Sequence, residues 1–78
     1  MVRTVLILGA SSDIGLSVID YYLKNNWKIV AHGNLSVKRL SGISDLVTPF
    51  QLDMSDLKVV ATFIQSNHSL FNNVSVII

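Results

Sequence analysis

The stretch from Val5 to Gly15 constrains the fold of this chain more than any other. An apolar run, Val5-Leu6-Ile7-Leu8, stops at Gly9, a short polar loop follows, and helical periodicity begins at Ile14-Gly15. A buried strand, a tight turn and a helix N-terminus in that order direct backbone N–H groups toward one point, which favours binding of a phosphate group. The stretch therefore predicts an α/β protein with an anion-binding loop after its first strand.

The rest of the chain alternates between strand and helix patterns. Continuous apolar runs are typical of strands buried on both faces of a parallel sheet, and apolar residues at i, i+3, i+4 and i+7 are typical of helices. The predicted strands are 2–8, 27–31, 46–52 and 74–78, and the predicted helices are 14–24, 37–40 and one between a cap at Ser55 and a stop at 67–69. Right-handed crossovers then give a Rossmann-type parallel sheet of strand order 3-2-1-4, flanked by helices.

Composition excludes several classes of function. The chain of 78 residues has no cysteine and a formal net charge of +1, and 50% of its residues are hydrophobic. Disulfides and thiolate metal sites are therefore excluded, and no clustered basic surface predicts nucleic-acid binding. No apolar run approaches the ~18 residues of a membrane-spanning helix. We expect a cytoplasmic protein with no membrane partner and no metal site, and residues 1–78 forming one partial domain.

The two glycines of the first turn have different predicted roles. Gly9 can leave the strand in a tight turn without a Cβ clash. Gly15 begins the apolar face of the helix, where a missing side chain lets helix and sheet approach closely. Between them, the backbone N–H groups from Ser12 to Gly15 face the end of the helix that carries about half a positive charge, which attracts a pyrophosphate.

Two motifs resemble those of the short-chain dehydrogenases/reductases. Residues 9–15, Gly-Ala-Ser-Ser-Asp-Ile-Gly, resemble the cofactor loop of that family, usually written T-G-x-x-x-G-x-G. Residues 52–56, Leu-Asp-Met-Ser-Asp, resemble its second signature, D-x-[ST]-D after the third strand. The motifs occur in the family's order, with the expected elements between them. The resemblance covers the whole chain and the first half of the family's domain.

The resemblance implies an NAD(P)-binding site. Asp53 would accept a hydrogen bond from the adenine amino group, and the backbone of Met54 would contact the edge of the ring. The loop would hold the diphosphate, and Asn34 would lie near the adenosine ribose. The implied cofactor-binding residues are Gly9, Ser11, Ser12, Asp13, Ile14, Gly15, Asn34, Asp53 and Met54.

The chain departs from the family pattern at two positions. Leu8 replaces a threonine whose hydroxyl usually braces the loop, and Asp13 replaces the middle glycine. A carboxylate about 6 Å from a phosphate would cost roughly 1–3 kcal/mol, so Asp13 is expected to turn outward. Substitution of Asp13 by glycine should then leave cofactor affinity unchanged or improve it.

The residues after the second strand bear on the choice between NAD and NADP. NAD-binding proteins commonly place an acid there for the ribose diol. Here the segment Ala31-His32-Gly33-Asn34 contains no acid, and Lys38 and Arg39 follow shortly after it. The pattern favours NADP slightly over NAD. His32 itself is interpreted as a strand-end residue that packs or lies at the surface.

The family's catalytic residues are not found in this sequence. The family uses a serine, a tyrosine and a lysine from later elements, with the tyrosine as acid/base, and no Tyr-x-x-x-Lys occurs here. The resemblance implies an oxidoreductase that transfers hydride between NAD(P)H and a carbonyl, hydroxyl or enoyl substrate. We expect these residues to be its truncated cofactor-binding half, inactive alone and without a substrate site, with a fourth strand exposed for self-association.

Several alternatives remain open from the sequence. One is a non-catalytic nucleotide-binding or regulatory module, which predicts micromolar binding of adenine dinucleotides by this chain, whereas the truncated half of an enzyme predicts weak or no binding. A sugar-nucleotide epimerase or dehydratase of the extended branch would favour a glycine at position 12, where Ser12 stands. A phospho-acceptor or flavodoxin-like domain requires acids after the first strand, and Leu8-Gly9 supplies none. A P-loop requires Gly-Lys, which does not occur.

Overall fold

A computed structural model of the chain describes residues 2–78 and has the predicted α/β architecture. Four parallel strands form a single sheet in the order β3-β2-β1-β4, with helices on its faces, which confirms the predicted order and is compatible with a Rossmann-like fold. The elements, in chain order, are β1 (Thr4–Ile7), α1 (Asp13–Lys24), β2 (Lys28–Gly33), a 3-10 turn (Val37–Leu40), β3 (Val47–Gln51), α2 (Leu57–Ser66), α3 (His68–Phe71) and β4 (Val74–Ile77).

The core lies between the sheet and α1. Alternate residues of the central strands face the helix, since successive strand side chains point to opposite faces. Ile19 of α1 packs there against the strands and is almost fully buried. Its partners are buried residues of the sheet and of the connections beside it, namely Val5, Ile7, Ala10, Ile29, Ala31, Leu40 and Val47. This face of the sheet, which we call the α1 face, is closed.

The opposite face of the sheet, the α2 face, is covered less completely. No residue of α2 is buried. The helix is held mainly by aromatic contacts, with the rings of Phe50 and Phe63 stacked at 5.2 Å and Phe71 packed edge-on against Phe50 at 5.7 Å. Beside this cluster lies an apolar cavity of about 420 Å³, whose lining includes Leu6, Val60, Ile64, Val74 and Ile77.

Most element ends follow the local signals in the sequence. Helix α1 ends at Lys24, and Asn26 adopts a left-handed φ of 62°, which asparagine tolerates better than most residues. Strand β3 is an edge strand, so Pro49, which lacks a backbone donor, removes no hydrogen bond from a central strand. Within residues 2–78, no helix has both the length and the apolar character needed to cross a membrane.

Two local predictions were wrong. Strand β2, predicted to end at residue 31, continues through His32 and Gly33, because these residues pair with Phe50 and Gln51 of β3. The cap of α2 is Asp56 rather than Ser55, since the Asp56 carboxylate accepts from two backbone N–H groups of the first turn. Helix α2 ends at Ser66 with Asn67 as its C-cap, in agreement with the predicted stop at 67–69, but a second short helix, α3, which was not predicted, begins at His68.

Candidate functional site

The loop after β1 turns sharply at Gly9. Gly9 has a φ of +65°, and a Cβ built on it would meet nothing within 4 Å, so the backbone angle rather than crowding favours glycine there. The next residue, Ala10, is fully buried against the core. The loop therefore leaves the sheet at Gly9, packs at Ala10, and exposes residues 12–14 at the N-terminus of α1.

The hydroxyl of Ser12 holds this loop closed. It donates to the Gly9 carbonyl at 3.0 Å and accepts from the Gly15 N–H at 3.0 Å, which makes Ser12 the N-cap of α1. Removing an N-cap of this kind costs about 1 kcal/mol.

Two backbone N–H groups at the start of α1 remain available to a ligand. The N–H groups of Ser12 and Gly15 are used within the loop, the former in a long 3.3 Å bond to the Gly9 carbonyl. The N–H groups of Asp13 and Ile14 have no acceptor among residues 2–78. Both belong to the first turn of a helix, where unpaired donors and the helix dipole attract an anion.

Gly15 is the point of closest approach between α1 and the loop. A Cβ at this position would lie 2.6 Å from both the Cα and the carbonyl oxygen of Ala10. These are backbone atoms that no rotamer change can move, so only glycine fits. The structure therefore agrees with the close-approach role predicted for Gly15 from the sequence.

Arg39, from the 3-10 turn after β2, contacts the same loop. Its guanidinium donates to the Ser11 carbonyl at 2.8 Å and to the Asp13 carboxylate at 2.7 Å. Both side chains of the ion pair are substantially exposed, so its contribution to stability is small. The Asp13 side chain is exposed rather than packed into the loop, as expected. Arg39, predicted to lie near a ribose phosphate, is placed against the loop.

The end of β2 closes one side of the loop. A Cβ on Gly33 would lie 3.2 Å from the Ser11 hydroxyl and 3.0 Å from the Cα of Val37, so a larger residue there would displace the loop or the 3-10 turn. Asn34 follows and is partly buried; its carbonyl accepts a long bond from the Val37 N–H at 3.4 Å. Its side chain makes no hydrogen bond among the residues that the structure describes.

Asp53 lies at the end of β3 in a polar turn. Its Oδ1 accepts from the Ser55 hydroxyl at 2.7 Å and from the Ser55 N–H at 3.0 Å. These two hydrogen bonds favour the charged form and lower the pKa of the Asp53 carboxyl below its usual value. Oδ2 accepts no hydrogen bond within residues 2–78 and is exposed with Met54. One carboxylate oxygen is thus available to a donor.

His32 connects the loop to the end of β3. Its Nδ1 accepts from the Gly9 N–H at 2.9 Å, and its Nε2 lies 2.8 Å from the Leu52 carbonyl. The residue is buried, only 7% exposed. The sequence did not identify His32 as part of the site. The available signal was a polar side chain at the end of an otherwise apolar run, beside Gly33.

The predicted site residues therefore form two groups at the carboxyl edge of the sheet. One group is the loop and the first turn of α1, with Arg39 against it; the other is Asp53 and Met54 after β3. His32 lies between them. Asn34, which follows β2, belongs to neither group. No group of three or more potential metal-ligating side chains occurs within residues 2–78.

No protein-family model matches the chain, and no curated protein matches it in sequence. Function is therefore inferred from the loop geometry and from the two sequence motifs.

Proposed function

We propose that this chain is the NAD(P)-binding part of an oxidoreductase similar to the short-chain dehydrogenases/reductases. The observation that carries the proposal is the pair of unpaired N–H groups, those of Asp13 and Ile14, at the first turn of α1. They follow a buried parallel strand and a glycine turn, at the carboxyl edge of the sheet. In open α/β sheets ligands bind outside this edge, where the strand order reverses; here β2 and β4 lie on opposite sides of β1.

The loop would hold the diphosphate of the cofactor. The N–H groups of Asp13 and Ile14 would donate to its oxygens, and the helix N-terminus would supply about half a positive charge. The absence of side chains at Gly9 and Gly15 lets the backbone approach the ligand and pack behind it. The residues present thus fit a diphosphate.

Asp53 and Met54 would hold the adenine. Oδ2 of Asp53 can accept from the adenine amino group while Oδ1 keeps its two bonds to Ser55. The carboxylate is charged at neutral pH and therefore an acceptor, and the two hydrogen bonds from Ser55 lower its pKa further. The backbone of Met54 would lie along the edge of the ring, as the family resemblance implies.

The bound nicotinamide would supply hydride chemistry toward a carbonyl, hydroxyl or enoyl substrate. The role of this chain's own residues is to bind and orient the adenosine diphosphate half. The sequence contains no Tyr-x-x-x-Lys, so none of its residues is assigned to proton transfer. The substrate belongs to the proposed complete enzyme.

We further propose NADP rather than NAD as the cofactor. The end of β2 carries no acid for a ribose diol, and Arg39 lies against the loop. A guanidinium has five N–H donors, and two nitrogen atoms of Arg39 are engaged with Ser11 and Asp13, so further donors remain for a 2′-phosphate.

The Arg39→Ala variant should lose about fivefold or more in NADP⁺ affinity relative to NAD⁺. The neighbouring Lys38→Ala variant, which keeps Arg39, should change the ratio little.

The proposed diphosphate site can be tested with two matched aspartate substitutions. Ile14 and Leu57 lie in the first turns of α1 and α2 and are 80% and 81% exposed, so neither contributes to the core. An aspartate is favourable at either helix N-terminus. Ile14→Asp would place a carboxylate beside the diphosphate and should weaken NADP⁺ binding, measured by calorimetry, about tenfold or more, equivalent to 1.4 kcal/mol.

The Leu57→Asp variant is the control, because its new charge lies near the uncharged adenine rather than the diphosphate. It should bind NADP⁺ within about twofold of the parent chain. Equal binding by the parent and Ile14→Asp would refute the proposed diphosphate site. Absence of NADP⁺, NAD⁺ and ADP binding by the folded parent, even at millimolar nucleotide, would refute the proposed function.

A further inference from the structure

The imidazole of His32 has both nitrogens engaged, each by a different part of the chain. Nδ1 faces the N–H of Gly9, the first residue of the loop. Nε2 faces the carbonyl of Leu52, the residue before Asp53. The ring is buried at the end of β2, 5.5 Å from the ring of Phe50. The diphosphate loop and the segment that leads to Asp53 are thus both hydrogen-bonded to the His32 side chain.

This geometry determines the tautomer of His32. The Gly9 N–H can only donate, so Nδ1 must present its lone pair. The Leu52 carbonyl can only accept, so the single ring proton is on Nε2, where it donates to that oxygen. A proton on Nδ1 would face the Gly9 N–H directly and break the first bond. In this arrangement the ring is neutral and carries its proton on Nε2.

We propose that His32 is a positioning residue that sets the spacing between the diphosphate loop and the adenine-binding end of the site. This inference rests on the proposed function. A dinucleotide joins its adenine and its diphosphate through a single ribose, which limits their separation, so it gains affinity over its parts only when the two subsites are held within that span. His32 is the side chain that joins them.

The backbone at the end of β2 supports the same connection. The His32 carbonyl accepts from the Ala10 N–H at 2.7 Å, and the Gly33 carbonyl accepts from the Leu52 N–H at 3.1 Å. The imidazole adds one further bond on each side, to the Gly9 N–H and to the Leu52 carbonyl. The His32 side chain therefore contributes to the site through its contacts with Gly9 and Leu52, in addition to its packing against Phe50.

Three substitutions separate these contributions. Asn at this position places its Oδ1 near the location of Nδ1 and keeps an acceptor for Gly9, but does not reach Leu52. Gln reaches toward the Leu52 carbonyl with its amide N–H, but offers no acceptor in the Nδ1 position. Phe keeps the ring volume and the packing against Phe50, and loses both bonds.

The decisive readout is the affinity gained by joining the two halves of the ligand. Binding of adenosine, pyrophosphate and ADP to the full chain is measured by calorimetry for the parent and the three variants. His32→Phe should lower the affinity for ADP about tenfold, with smaller effects on adenosine and on pyrophosphate. His32→Asn should retain more pyrophosphate affinity than His32→Gln, and His32→Gln more adenosine affinity than His32→Asn.

Two results would overturn the inference. One is a folded His32→Phe variant that binds ADP as tightly as the parent, which would reduce His32 to a packing residue. The other is a long-range ¹H–¹⁵N spectrum of the parent that shows the ring proton on Nδ1. The spectrum can be recorded without ligand, so it tests the tautomer separately from nucleotide binding. If it shows the proton on Nε2 but the parent binds no nucleotide, the proposed function is wrong, and the positioning role is then wrong as well.

Discussion

The two faces of the sheet differ in how completely they are packed. On the α1 face, Ile19 and the strand residues around it are almost fully buried. On the α2 face, the helix buries none of its residues completely, and an apolar cavity of about 420 Å³ lies beside the Phe50, Phe63 and Phe71 cluster. Both faces have comparably apolar sequences, so the difference lies in packing.

The difference shows which contacts fix the proposed cofactor site. The loop and the first turn of α1 are attached to the closed face, through Ala10 and the close approach at Gly15. The adenine-binding end, Asp53 and Met54, leads into α2 on the open face. One end of the site is therefore rigidly packed, and the other depends on hydrogen bonds such as those of His32 and Ser55.

The largest contrast is expected from equal truncations on the two faces. Ile19→Ala removes a side chain that is 1% exposed and should lower the free energy of unfolding by about 2–5 kcal/mol, the usual cost of a large cavity in a packed core. Ile64→Ala removes one that is 48% exposed and lines an existing cavity, so it should cost about 1 kcal/mol or less. Urea denaturation followed by circular dichroism measures both. Equal costs would contradict the difference between the faces.

A smaller contrast, with opposite signs, is expected from added methylene groups. Val5 and Val74 lie in adjacent strands, on the closed and open faces respectively. Val5→Ile should destabilise the chain by about 1–3 kcal/mol through overpacking. Val74→Ile adds carbon beside the cavity and should stabilise it by up to about 0.8 kcal/mol.

Thermal unfolding of both isoleucine variants provides the measurement. Destabilisation by Val74→Ile equal to that of Val5→Ile would mean that the α2 face has no room for the extra group. A neutral Val5→Ile would mean that the α1 face is less tightly packed than its burial indicates.

The smallest effect concerns the turn that leads into α2. Ser55 lowers the pKa of Asp53 in the folded chain below the value in the unfolded chain. The hydrogen bonds therefore stabilise the fold at neutral pH, and this contribution is lost as the pH falls below about 4 through the folded-state pKa. Ser55→Ala should be slightly less stable than the parent at pH 7, and the difference should shrink toward pH 3. A difference that stays constant over this range would exclude the carboxylate as its cause.

The sequence was sufficient to predict the overall topology. The apolar runs predicted each strand, because burial on both faces of a parallel sheet leaves a direct compositional pattern, and the 3.6-residue periodicity predicted α1 and α2. The roles of Gly9 and Gly15 followed from the same reasoning, since a left-handed turn and a close approach each require glycine.

Apart from the α2 cap, which is decided locally between Ser55 and Asp56, the errors occurred where contacts distant in sequence decide the structure. His32 and Gly33 have turn-like identities, yet pairing with β3 extends β2 through them. Helix α3 follows polar residues that resemble a loop, and Phe71 is held by Phe50, far away in sequence. Arg39 reaches Ser11 and Asp13 across the fold. No local pattern in the sequence contains these contacts.

A nucleotide titration followed by amide NMR tests the proposed cofactor loop most directly. When NADP⁺ is added to the ¹⁵N-labelled chain, the largest shifts should occur at the amides of Asp13 and Ile14, whose N–H groups are unpaired in the structure. Smaller shifts are expected at residues 53–54. No shift at millimolar NADP⁺, or shifts confined to the residues around the apolar cavity, would contradict the account.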